Sequence, residues 1–242
     1  MSSSSSSSTS LEPTLYTLLP SSLLSKFTSH LSLHSIHIEP LSLIDRIYTN
    51  SNPIVKGQLR NLRFRSRKLP TSSSLIKGKG KGKDEEGRWV HNLSYVSAPL
   101  RSQEYSEITT RAVIGLEILG MNSEEDIQDF IASLGFEHSH TYYSTGQLFH
   151  IPLPLPLPTP NPITLHLSIT HLSANKTHIP SNENTKSKNN KPWLIQLYPS
   201  RPVNAVSING DVTYSDLVDY MRDFVDSLGI KGLDWSVVGR WT

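Results

Sequence analysis

Apolar and polar positions change period several times along this chain, and each change marks an element. The alternation is cleanest in Ile163 to Thr170. There Ile163, Leu165, Leu167 and Ile169 share one face, and Thr164, His166, Ser168 and Thr170 share the other, the two-residue repeat of a strand. Gln58 to Leu69 alternates too, with Leu62 and Phe64 on one side and Arg63, Arg65 and Arg67 on the opposite side. Leu15 to Leu19, Arg88 to Ser97, Arg111 to Leu119 and Trp193 to Tyr198 read as further strands. Ser35 to Tyr48 reads as extended structure broken at Pro40, Asn50 to Pro53 as a turn, and Leu233 to Val238 as a last short strand.

Three segments have helical spacing. The first opens at Pro20 and carries Leu23, Leu24, Phe27 and Leu31. The second begins at Ser123, an N-cap followed by Glu124, Glu125 and Asp126, whose charges suit the positive end of a helix dipole. Its Ile127, Phe130, Ile131 and Leu134 form one apolar face, and Gly135 ends it. Beyond it, Tyr142 and Tyr143 belong to a strand, Ser144-Thr145-Gly146 reads as a turn, and Gln147 to Leu157 reads as a second strand. The third helix, Thr213 to Leu228, has the longest stripe: Tyr214, Leu217, Val218, Met221, Phe224, Val225 and Leu228. Thr213 and Asp216 have capping-box spacing, and Gly229 stops the helix.

Strands outnumber helices and do not alternate with them as in a βαβ chain. The expected fold is therefore α+β: a many-stranded, largely antiparallel sheet with a few peripheral helices. So many strands curl and close, which removes exposed edges, so a β-barrel is the economical arrangement. Met1 to Ser10 is a serine tract without the basic and apolar regions of a secretory signal, and is expected to be a disordered tail. Residues 11–242 are expected to form a single barrel domain. Low-complexity loops are expected at about 70–87, which contains KGKGKGK and DEEG, and at 172–191, rich in Asn, Ser and Lys.

The order of LGF at Leu134 to Phe136, a Tyr-containing strand, G-x-x-F at Gly146 and Phe149, and an alternating apolar strand resembles the fungal-type Mediator of RNA polymerase II transcription subunit 18 family. The Leu15-Tyr16 strand leading into a helix, the strand opened by Trp89 and the amphipathic C-terminal helix agree with it. The resemblance implies a barrel related to the triphosphate-tunnel fold and a nuclear, non-catalytic subunit of the Mediator head module. Such a subunit is a protein–protein interaction scaffold in regulation of RNA polymerase II transcription. The implied partners are Mediator subunit 20 as a heterodimer, a helix from the C-terminal end of subunit 8, other head-module subunits and the polymerase machinery.

Composition narrows the chemistry. The chain has 242 residues and a formal net charge of +2, too small to imply a nucleic-acid partner. It has no cysteine, so disulfides, thiolate zinc sites and a Cys nucleophile are excluded. No apolar run approaches the roughly 18–20 residues of a membrane span. Tunnel enzymes carry an E-x-E-x-K strand near the N-terminus, whereas Leu15 to Leu19 has no charge and no E-x-E occurs in the chain. Most acids fall in helix caps, helix faces or loops, so the lumen is expected to lack a carboxylate cluster for a hard metal. No catalytic residue, cofactor or metal is expected. The alternative is a phosphate- or RNA-binding barrel, or a divergent triphosphate-tunnel enzyme.

Two features carry the remaining candidate sites. Arg63, Arg65 and Arg67 could contact an anion or a nucleic-acid backbone, but the expected placement is a solvated outer face. Only Phe64 interleaves with them, on the opposite face, so direct nucleic-acid binding is not expected. Trp241, next to the last residue, is a candidate partner contact, whereas Trp235 is expected in the core. Of ten scattered histidines, His138, His140 and His166 are the conceivable ligands, and surface or hydrogen-bonded roles are expected for them.

Overall fold

The computed structural model describes residues 10–50, 61–69, 88–100, 105–116, 123–154, 162–174, 191–206, 211–229 and 233–235. Its strands are β1 (Ser10–Leu19), β2 (His37–Asn50), β3 (Asn61–Lys68), β4 (Trp89–Val96), β5 (Thr109–Leu116), β6 (Phe136–Pro152), β7 (Thr164–Ser173), β8 (Trp193–Pro199) and β9 (Val203–Asn204). The helices are α1 (Leu24–Ser32), preceded by a tight turn over Ser21–Leu23, α2 (Glu124–Ser133) and α3 (Tyr214–Ser227). The sheet order is β5-β4-β3-β2-β6-β7-β8-β1, and β1 also pairs with β5, so eight antiparallel strands close into a barrel. β9 adds two residues beside β1. Among the described residues, no helix is long and apolar enough to cross a membrane.

The helices form where local and tertiary preferences coincide. At α2 the Ser123 hydroxyl accepts from the Asp126 amide while the Asp126 carboxylate accepts from the Ser123 amide. Thr213 and Asp216 repeat that capping box at α3. Gly135 takes φ 78° and Gly229 φ 57°, the left-handed conformation that ends a helix without a Cβ clash. α1 and α3 lie on the outside of β1, β7 and β8, where Phe27, Leu31, Leu217, Val218 and Met221 pack on Leu15, Leu19, Leu165, Leu167 and Ile195. Burying Leu217, Val218 and Met221 is worth about 5–9 kcal/mol before ordering entropy. α2 covers another part of the wall, where Ile127 and Ile131 meet Tyr48, Leu62, Phe64, Leu93 and Phe136.

Several sequence expectations are corrected here. Ser144-Thr145-Gly146 is not a turn: β6 runs unbroken for 17 residues, paired with β2 on one side and β7 on the other. Gly146 stands there because β7 lies too close for a side chain, and an added Cβ would sit 1.9 Å from the Ile169 carbonyl oxygen. Pro40 does not break β2. It pairs with Gln147 of β6, while among the described residues the pairing of β2 to β3 starts only at Leu43, so the missing N–H breaks no ladder bond described there. β1 starts at Ser10 and includes Glu12, so the N-terminal strand is not free of charge. β7 runs through Ser173, into the segment expected to be loop, and Leu233 to Trp235 is not a strand. The loop at 70–87, most of 172–191 and nearly all of the serine tract lie outside the described residues.

Candidate functional site: the barrel lumen

The coats of helix settle which strand face turns inward. Apolar residues of β1, β3, β7 and β8 point outward under the helices, so their polar partners point into the lumen. Arg63, Arg65 and Arg67 therefore do not form a solvated outer face. Arg63 and Arg65 line a cavity of about 620 Å³ together with Glu12, Tyr16, Asn61, Arg111, Tyr142, Gln196 and Tyr198. A second cavity of about 590 Å³ shares Tyr16, Arg65, Arg111, Tyr142 and Gln196 and extends to Ser144, Leu172 and Lys191. Deeper in, Leu41, Leu43 and Leu148 make a small apolar plug against Tyr198.

The lumen is not free of carboxylates either: Glu12, Glu39 and Asp45 point inward, each beside an arginine. Arg65 donates two parallel hydrogen bonds to Asp45, at 2.7 and 2.8 Å, the fork geometry that suits a guanidinium. Arg67 donates to Glu39. Arg63 stands 3.6 Å from Glu12. Burial pushes the Asp45 carboxyl up, but the charge and hydrogen bonds of Arg65, with help from Arg63 and Tyr142, outweigh it and hold Asp45 below the usual range. Burial acts against Glu39 in the same way, and the bond from His150 with the charge of Arg67 brings it below its usual value. Burial raises the Tyr16, Tyr142 and Tyr198 phenols, so all three stay neutral donors.

Four guanidiniums thus face three carboxylates. Arg111 donates to the Ser97 carbonyl and has no carboxylate within ion-pair distance among the described residues. The Nε atoms of Arg63 and Arg67 are buried without a hydrogen-bond partner. An anion entering the first cavity would meet Arg63, Arg111 and three phenols.

The histidines fall differently from the sequence expectation. His138 is exposed and bonds Thr141, and His140 stacks on Tyr142, so these two do not converge on one point. His166 lies inside the barrel, where burial, followed by the neighbouring His150 and Arg67, pushes its pKa down to about 4. Beside it, His37, Glu39 and His150 come together from β2 and β6. The sequence offered no sign of this group, because Glu39 and His150 are 111 positions apart. Trp235 packs against the core as expected, whereas Trp241 lies outside the described residues.

Among the described residues, the outer wall between the helical coats is open. A groove of about 870 Å³ runs over β2 and β6 and is lined by Ile38, Pro40, Ile44, Trp89, Tyr143 and Trp193. Ile38 and Trp89 are exposed, as are Leu33 and Ile36 just before β2.

No protein-family model matches the chain, and no curated protein matches it. Solved structures do. The PH1819 protein of Pyrococcus horikoshii OT3 is similar over 92% of this chain and 93% of its own, at 11% identity and a TM-score of 0.51. A chain in the Mediator head module of Schizosaccharomyces pombe is similar over 90% and 92%, at 14% identity and a TM-score of 0.48. The Hippeastrum protein HpAC1, described as having a dominant triphosphatase activity, is similar over 95% and 92%, at 11% identity and a TM-score of 0.46. At such identities the likeness is one of fold, the closed antiparallel barrel that the strand pattern led us to expect. The expectation of a chain without enzymatic activity is withdrawn: it rested on a lumen without carboxylates, and the lumen instead holds Glu12, Glu39 and Asp45 beside arginines, while proteins described as triphosphatases are among the similar structures.

Proposed function

We propose that the chain is a subunit of the Mediator head module, acting in the nucleus as a protein–protein interaction scaffold in regulation of RNA polymerase II transcription. The observation that carries this reading is the open apolar groove over β2 and β6. α1 and α3 cover one part of the barrel and α2 another, yet Ile38, Trp89 and their neighbours stay exposed between them. An apolar strip with polar surroundings on an otherwise coated barrel marks a partner surface, and an amphipathic helix fits such a groove through residues spaced three and four apart. The sequence block from Leu134 to Phe149, which resembles Mediator subunit 18, supports the same reading. Its partners would be Mediator subunit 20 and a C-terminal helix of subunit 8, with the remaining head-module subunits and the polymerase machinery beyond them.

The test is native purification of the tagged chain from nuclear extract, with quantitative identification of what accompanies it. Subunits 20 and 8 are expected in near-stoichiometric amounts. Ile38→Asp, at an exposed position, is expected to release subunit 8 while leaving the circular dichroism spectrum unchanged. Recovery without any Mediator subunit would overturn the proposal.

A second reading is favoured by the lumen: a barrel that binds phosphate chains, or a divergent tunnel enzyme. The buried Nε of Arg63 and the carboxylate-free Arg111 are what a polyphosphate would engage. Calorimetric titration with inorganic triphosphate, with and without Mg²⁺ or Mn²⁺, and an assay for phosphate release separate the two. Binding lost in both Arg63→Ala and Arg111→Ala supports the second reading, and no binding at low salt removes it.

A further inference from the structure

We propose that His37, Glu39 and His150 form a binding site for a divalent transition metal of the zinc type, with His166 as a fourth donor behind them. The ligand atoms of His37, Glu39 and His150 all lie within 4.8 Å of one another. Metal–ligand bonds of about 2.0–2.2 Å place tetrahedral donors about 3.4 Å apart, so small side-chain rotations close the set. The strands that carry it are rigidly registered. His37 and His150 are direct partners across β2 and β6, and His150 and His166 are partners across β6 and β7. Their rings are 5.2 and 4.6 Å apart, centre to centre. All four side chains gather where β2 and β7 begin and β6 ends, at one mouth of the barrel.

Donor chemistry decides the kind of metal. Two or three imidazoles with one carboxylate suit zinc, copper or nickel, whereas magnesium takes oxygen donors. Both existing contacts of Glu39, from His150 at 2.7 Å and from Arg67, fall on Oε1. Oε2 is left for a metal, and Arg67 can stay bonded to Oε1 and hold the carboxylate in orientation. His37 is exposed, so an ion can enter from solvent. A bound ion would tie the first residues of β2 to the last of β6.

The test uses the full chain without a histidine tag. Zn²⁺ is titrated in competition with a chromophoric chelator, and Co²⁺ is added separately to read the ligand-field absorption of a four-coordinate site. One Zn²⁺ per chain is expected, uncompeted by excess Mg²⁺. His37→Ala removes an exposed ring and is expected to weaken binding at least tenfold with folding unchanged. His150→Gln is expected to do the same. His34→Ala, in the turn after α1 and beside His30, is the control and is expected to change affinity by less than twofold. Zn²⁺ should raise the melting temperature of the wild type and not of His37→Ala. Three results overturn the proposal: no stoichiometric Zn²⁺ binding, binding within twofold of wild type in His37→Ala, or a loss that follows His34 instead.

Discussion

Gly146 offers the sharpest test of the barrel. An alanine methyl there would sit 1.9 Å from the Ile169 carbonyl oxygen and 2.9 Å from both the Ile169 carbonyl carbon and the Thr170 Cα. These are backbone atoms of a paired strand, so no side chain can swing aside. Relief requires β6 and β7 to part by more than 1 Å on the order of a full contact distance, which breaks ladder hydrogen bonds worth about 1 kcal/mol each. Overpacking strain of about 1–3 kcal/mol adds to that. The expected loss is about 3–5 kcal/mol, a large share of the stability of any domain. Gly115 in β5 is the internal control, because nothing lies within 4 Å of its added Cβ. Gly115→Ala is expected to be neutral or to stabilise by about 0.4–1 kcal/mol through the unfolded chain. Urea unfolding of both variants, followed by tryptophan fluorescence, reads the difference. If Gly146→Ala and Gly115→Ala unfold within 1 kcal/mol of each other, on the scale of ordinary strand substitutions, the pairing of β6 with β7 is wrong.

Three other outcomes are expected. His166 has a folded pKa of about 4 against an ordinary value near 6.5, so the unfolded chain takes up the proton first as pH falls; its contribution is complete above pH 6.5 and drains away towards pH 4, by up to about 3 kcal/mol. His166→Gln should flatten the urea midpoint over that window, leaving the loss below pH 4 that follows from the lowered pKa values of Asp45 and Glu39. Asp45→Asn leaves Arg65 without its carboxylate and should cost about 2–4 kcal/mol, while the double change Asp45→Leu with Arg65→Met recovers part of it in a double-mutant cycle. Thr213→Ala removes the α3 capping box and should cost about 1 kcal/mol by the same unfolding assay.

The strands and helices were legible where one local signal dominates. Ile163 to Thr170 alternates without interruption, and β7 is there. Ser123 with Asp126 and Thr213 with Asp216 mark α2 and α3 to within a residue, because a capping box is a local interaction. The errors arose where pairing between distant strands overrides local preference. Gly146 and Pro40 have turn and breaker chemistry, yet each sits inside a strand at a place where a neighbour is too close or, among the described residues, missing. The His37, Glu39 and His150 group depends on the register of β2 against β6, which no local pattern encodes.

The Arg63, Arg65 and Arg67 stripe failed for a different reason, and the reason bears on function. Alternation says that a strand has two faces but not which one meets water. For an uncoated barrel with a packed core, the apolar face turns inward and the charges outward. Here α1, α2 and α3 bury the apolar faces from outside, so the polar faces must line the lumen. Charges enclosed in that way are tolerated only when paired and hydrogen-bonded, which is why Glu12, Glu39 and Asp45 accompany the arginines. Among the described residues, the pairing is incomplete at Arg111 and at the Arg63 Nε, and the coating is incomplete over β2 and β6. Those two gaps are independent of each other. A polyphosphate would address the first and a partner helix the second, so Arg63→Ala tests the lumen without touching the groove, and Ile38→Asp tests the groove without touching the lumen.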